Sequence, residues 1–122
     1  EMWTRIAANY PVAYTPKKLA YYRAHPDNIT GNSLKTGQNV KDISTVIDTI
    51  QSYLPSDKRK DLKRKARMNY SYYVGIHSDR IYHDQNNPKA AFVQVKEAFK
   101  LYPDKRSLYR LLKILTKKLI SY

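Results

Sequence analysis

The sequence predicts a mainly α protein made of helical hairpins, with a short two-stranded β element near its amino terminus. Three observations predict it. From Val40 onward, apolar residues recur at steps of three and four, the spacing of one helix face. The periodic stretches are separated by prolines with capping residues beside them, at Pro55, Asn87-Pro88 and Pro103-Asp104. Near the start, two short runs rich in tyrosine and small apolar residues flank Pro16-Lys17-Lys18, a turn composition.

In chain order, Trp3, Ile6, Ala7 and Tyr10 share a helix face, and Pro11 stops that helix because the residue before a proline is pushed out of the helical region. Val12–Thr15 and Leu19–Arg23 are the two expected strands. Residues 26–37, mostly Asp, Asn, Thr, Gly and Ser, have a loop composition. Val40, Ile43, Ile47, Ile50 and Leu54 predict a helix ended by Pro55. Ser56 suits an N-cap for a longer helix to about His83, with Leu62, Ala66, Tyr70, Tyr73, His77 and Ile81 as its inner stripe. Gly75 weakens that helix but lets a neighbour come close.

Asn87 then caps a helix that has Pro88 at its first position and buries Ala91, Phe92, Val95, Ala98, Phe99 and Tyr102. Asp104 caps the last helix, whose apolar face is Leu108, Leu111, Leu112, Leu115 and Leu119. The spacing Ala91, Val95, Ala98, Phe99, Pro103 matches the second helix of a tetratricopeptide repeat. No second copy follows at the repeat period, so the expectation is a partly tetratricopeptide-like hairpin, not an array.

With 42% hydrophobic residues the chain can bury a core. It has no cysteine, which excludes disulfides and thiolate metal sites and fits a reducing compartment. The start lacks the basic head and apolar stretch of a signal peptide. Charge is uneven: residues 1–55 hold six Lys/Arg against four Asp/Glu, and residues 56–122 hold seventeen against six, a net of +11 out of +13. Such a field favours an anionic partner: nucleic acid, an anionic membrane or a phosphorylated ligand. The densest part is Lys58, Arg59, Lys60, Lys63, Arg64, Lys65 and Arg67, readable as a solvated helix face or as an anion-binding surface. His77 and His83 are six apart and lie on different helix faces, with no carboxylate to complete a metal site. The sequence has no nucleophile triad and no glycine-rich phosphate loop.

One further pattern lies at the amino terminus. Trp3-Thr4-Arg5, then Tyr10-Pro11-Val12-Ala13-Tyr14-Thr15, then Leu19-Ala20-Tyr21-Tyr22-Arg23-Ala24-His25 leading into Pro26–Thr30, together resemble the end of a GT-A catalytic domain of glycosyltransferase family 2. The match covers about thirty residues, and residues 56–122 resemble, more loosely, the helical tail of bacterial members. The resemblance implies two parts: 1–37 as the end of the catalytic domain and 38–122 as a helical carboxy-terminal domain. It implies an inverting enzyme that uses a nucleotide sugar and a divalent metal (Mg or Mn) on a glycan or lipid-linked acceptor. Arg23 and His25 would sit beside the donor diphosphate, with His25 also a metal ligand, or they would simply cap the strand end and fix the loop. Trp3 and Arg5 would lie on the acceptor side, Trp3 otherwise in the core and Arg5 otherwise paired with a carboxylate. The family's catalytic base would lie just ahead of Glu1, so no catalytic residue is expected within the chain and the isolated chain should be inactive. The implied location is cytoplasmic and peripheral at the inner membrane face, the basic tail attracted to anionic lipid mainly by charge. The rival readings are a helical protein-interaction module and a basic nucleic-acid-binding domain. The second is disfavoured because the aromatics occupy core-compatible helical positions and no nucleic-acid-binding motif is present.

Overall fold

The computed structural model describes residues 1–21 and 29–120. Over these residues the protein is all-helical. The elements are α1 (Met2–Asn9), α2 (Ile29–Thr36), α3 (Gln38–Thr49, continued by a 3-10 turn, Ile50–Tyr53), α4 (Arg59–His83), α5 (Pro88–Leu101) and α6 (Lys105–Ile120). Two of the boundaries follow the expected capping chemistry. The Ala90 N–H donates to Asn87 Oδ1 at 3.0 Å, with Pro88 at the first helical position. At the start of α6 the Ser107 N–H donates to Asp104 Oδ1 at 2.8 Å, and the Asp104 N–H donates back to Ser107 Oγ at 3.0 Å. This reciprocal box satisfies two backbone donors that would otherwise be open. The Ser107 N–H, chief among the causes, holds the Asp104 carboxyl below its ordinary 3.8.

The expected β element is not found among the described residues, and Tyr22 and Arg23 of its second strand lie outside them. Residues 11–21 form no strand, and among the described residues no strand occurs anywhere. Pro11 and Pro16 remove backbone donors, and the segment runs exposed, with Val12, Tyr14, Leu19 and Tyr21 all in solvent. A lone hairpin without a packed face is marginal in water. The expected loop over 26–37 is corrected from Ile29 to Thr36, which α2 occupies, while residues 26–28 lie outside the described residues. Its polar residues are weak helix formers, but Leu34 packs on the core and its carbonyl accepts a bond from Gln94, so tertiary contact outweighs propensity. Gly37 turns the chain from α2 into α3 at φ 72°, and a Cβ there would lie 2.8 Å from Glu97 Cγ. Ser56 is not the cap of α4, which starts only at Arg59.

α5 is the central helix, with α4, α6, α2 and α3 packed around it. One core cluster joins Ile81, Ala90, Ala91, Val95 and Ile114, with Leu34, Tyr82, Phe92 and Leu111 against it. A second joins Val40, Val74, Ala98 and Leu101, with Tyr70. α4 and α5 run antiparallel through the four-residue link 84–87, so the expected hairpin is present.

Of the stripe expected on α4, Ile81 is buried and Tyr70 packs against the second cluster, but Leu62 and Tyr73 are exposed, and the other buried residues are Ser71, Val74, Gly75 and Ser78. Small residues let the two helix backbones come close. The hydroxyls they carry are satisfied, since Ser71 Oγ donates to Ala98 O at 2.9 Å and Ser78 Oγ to Val74 O at 2.7 Å. α6 is also rotated from expectation. Ser107 and Ile114 are buried and Leu111 is partly so, while Leu108 and Leu112 face solvent.

The amino-terminal segment touches this body through α1 against the 3-10 turn, where Thr4, Ala7 and Ala8 face Tyr53, Leu54 and Pro55. Among the described residues no helix is long and apolar enough to cross a membrane.

Candidate anion-binding surface

The start of α6 lies against the middle of α4, and the junction is built around one arginine. Gly75 has no side chain, so Arg110 runs across the α4 backbone there, and a Cβ on residue 75 would meet Arg110 Cδ at 2.5 Å. Arg110 Nη1 donates to Gly75 O and to Asp79 Oδ2, both at 3.1 Å. Lys113 Nζ binds the other Asp79 oxygen at 2.9 Å. The Arg110 guanidinium carbon also stands 5.3 Å from the centre of the Tyr72 ring, with that of Arg106 at 5.8 Å. Met68, Asn69, Tyr72, Asp104, Arg106 and Arg110 line a cleft of about 60 Å³ between the two helices. Beyond it Tyr72, Lys105, Arg106 and Tyr109 border a wider, open groove. Lys105 is exposed and makes no ion pair among the described residues, while Arg106 acts on the Asp104 carboxyl through its charge.

Gly75→Ala should therefore destabilise the protein although alanine is the better helix former. The propensity gain is at most about 1 kcal/mol, against bonds to a charged group worth about 1.5–3 kcal/mol. In an Arg110→Ala background the same substitution should become neutral or stabilising. Thermal melts of the four proteins check it, and an additive pair of effects would contradict the geometry.

The basic run expected to bind anions lies along the first turns of α4. Asp48 of α3 takes two of its members, with Arg67 Nη2 at 3.0 Å and Lys63 Nζ at 2.9 Å. Asp61 takes two more, Lys65 at 2.7 Å and Arg64 at 3.0 Å. The Lys63 hydrogen bond chiefly depresses the Asp48 carboxyl, and the Lys65 bond chiefly depresses that of Asp61. Arg59 turns inward to bond Leu54 O at 3.1 Å. Lys58 and Lys60 form no ion pair among the described residues. Two carboxylates against seven cations leave this end of α4 positive, and exposed pairs of this kind hold their partners weakly.

The residues singled out on the acceptor side are both on α1. Trp3 is 76% exposed and is not a core residue. Arg5 is 3.9 Å from Glu1, one turn away on the same helix. Arg23 and His25 lie outside the described residues. His77 packs against Tyr73 with the rings tilted at 51° and their centres 4.1 Å apart, and His83 Nε2 is 2.8 Å from Lys117 Nζ. Among the described residues no three His, Asp or Glu side chains gather as metal ligands.

Sequence reasoning missed the junction of Tyr72, Arg106 and Arg110. Its only advance signal was Gly75, read as a point of close approach. Neither any known protein family, nor any curated protein, nor any solved structure matches the chain.

Proposed function

We propose that this chain is the carboxy-terminal part of a family 2 glycosyltransferase: the last stretch of its catalytic domain followed by a helical tail. The reading rests on the residue pattern of positions 1–30, and one observation supports it. Where that pattern falls on described residues, it keeps its large apolar side chains in solvent, with Trp3, Tyr10, Val12, Tyr14, Leu19 and Tyr21 all exposed. A run of exposed apolar groups on this scale suits burial against further polypeptide, as the closing segment of a larger domain would need.

The reaction would move a sugar from a nucleotide donor to a glycan or lipid-linked acceptor with inversion. Arg23 would neutralise the donor diphosphate through charge-assisted bonds and His25 would stand beside it with a divalent metal. Trp3 and Arg5, on one exposed helix, would face the acceptor side.

The reading is tested by the coding sequence ahead of Glu1 and by the protein it specifies. It requires an acidic pair directly before Glu1 and an Asp-x-Asp further upstream, and a protein that transfers sugar. Arg23→Ala and His25→Ala in that protein should each lower turnover or donor affinity by about tenfold or more, as expected for lost contacts to a charged group worth about 1.5–3 kcal/mol. The 122-residue chain alone should transfer none. Absence of the acidic pair, or wild-type kinetics in both variants, would leave the same exposed surface to the second reading, a helical protein-interaction module.

A further inference from the structure

The outer side of α6 carries residues that neither the core nor the glycosyltransferase reading uses. Lys105, Leu108, Tyr109 and Leu112 fall at i, i+3, i+4 and i+7, one continuous stripe, and all four are exposed. Tyr109 is 66%, Leu112 51% and Leu108 42% exposed. Beside the stripe, across the groove, lies the exposed Tyr72, with Arg106 at its ring.

From sequence, Leu108 and Leu112 belonged to the core, which left only charge to attract a surface. Their exposure changes the chemistry of the face: apolar side chains stand directly beside Lys105, which makes no ion pair among the described residues, and Arg106, whose charge is shared with Asp104 and the Tyr72 ring. We propose that this face of α6 docks on an anionic lipid bilayer. Lys105 and Arg106 take lipid phosphates, while Leu108, Tyr109 and Leu112 enter the interfacial layer.

The charge of the chain is complementary to that partner, +11 of its +13 lying in residues 56–122. The apolar residues decide between anionic partners. Tyrosines with arginines would also serve single-stranded nucleic acid, but a leucine pair offers nothing to phosphate or to a base plane and does gain by leaving water for lipid. Tyrosine, with an apolar ring and a polar tip, fits the boundary between the two. The proposal does not depend on the glycosyltransferase reading.

The test is sedimentation of the full chain with phosphatidylcholine vesicles, with and without phosphatidylglycerol. The wild type should bind only the anionic vesicles. Lys105→Gln/Arg106→Gln should weaken binding about 30-fold, from about fivefold per basic residue at the surface. Leu108→Ser/Leu112→Ser should weaken it about tenfold with the charge unchanged. Lys35→Gln/Lys41→Gln removes the same charge from α2 and α3, whose main neighbours are α5 and each other, and should act several-fold less. All four replaced α6 positions are exposed, and melting curves confirm that the variants fold.

Unchanged binding in the leucine variant would overturn the proposal, as would equal binding to neutral vesicles or none to either. So would tighter binding to single-stranded DNA than to anionic vesicles. A dimer in the absence of lipid that the leucine substitutions dissolve would assign the face to a second copy of the chain instead.

Discussion

Ile114→Ala should destabilise the protein by about 3 kcal/mol and lower its melting temperature by about 10–20 °C. Ile114 is 1% exposed and closes the cluster of Ile81, Ala90, Ala91 and Val95, where α6 meets α5 and α4. Removing three carbons there forfeits their transfer energy and leaves a void between Ile81, Val95 and two alanines, the alanines being too short to fill it. The informative control is Leu112→Ala. The sequence pattern assigns Leu112 to the core, but its exposure on the outer side of α6 predicts a change within about 0.5 kcal/mol. Thermal or denaturant unfolding of the two variants decides the orientation of α6. Comparable losses would mean the helix is rotated from the position described.

Gln94→Leu should cost about 2–3 kcal/mol although it exchanges a polar side chain for an apolar one in the interior. Gln94 is 1% exposed and joins three helices. Its Nε2 donates to Leu34 O of α2 at 2.6 Å and to Asn39 Oδ1 of α3 at 2.8 Å, and its Oε1 accepts from Asn39 Nδ2 at 3.1 Å. Leucine would strand the Leu34 carbonyl and the Asn39 Oδ1, although Asn39 keeps its bond to the Tyr70 hydroxyl, and a part-buried group left unpaired incurs its desolvation cost. Asn39→Ala/Gln94→Leu should therefore be less harmful than the two single losses added together. Amide exchange should quicken first in α2, which depends on the Leu34 bond. Strict additivity, or α2 protection unchanged in Gln94→Leu, would show that the amide pair does not tie α2 and α3 to α5.

The helices that could be read from sequence were those with strong punctuation. Pro11, Pro55, Asn87-Pro88 and Pro103-Asp104 each mark a helix boundary or a cap to within a few residues, because proline and capping side chains act locally. Which face of a helix turns inward was less legible. On α4 apolarity pointed to Leu62 and Tyr73, which stand exposed, but closeness to α5 selects Ser71 and Ser78, and the crossing of Arg110 selects Gly75, residues whose value lies in their size. On α6 the leucine pattern is broad enough to bury either of two adjacent stripes, and the fit of Ile114 among alanines chooses. α2 could not be read at all, since its helix depends on a glutamine sixty residues away. Of the candidate surface, the charge was visible from composition. The pairing of Asp48 with Lys63 and Arg67, and the crossing of Arg110 over Gly75, needed the third dimension.

The seam between α4 and α5 has a consequence for how the sequence can drift. At Ile114 or Val95 harm grows with the volume removed, so neighbours of similar bulk are tolerated. At Gly75 an added methyl meets the Arg110 side chain of α6, whereas at Ser71 and Ser78 the order is reversed: harm grows with the volume added, because an extra methyl or ring has no void to enter and must push two helix backbones apart. Substitution there is confined to exchanges among glycine, alanine and serine, with the further condition that Ser71 still reach the Ala98 carbonyl. The longest helix of the protein is thereby held to its place by the residues that contribute least bulk.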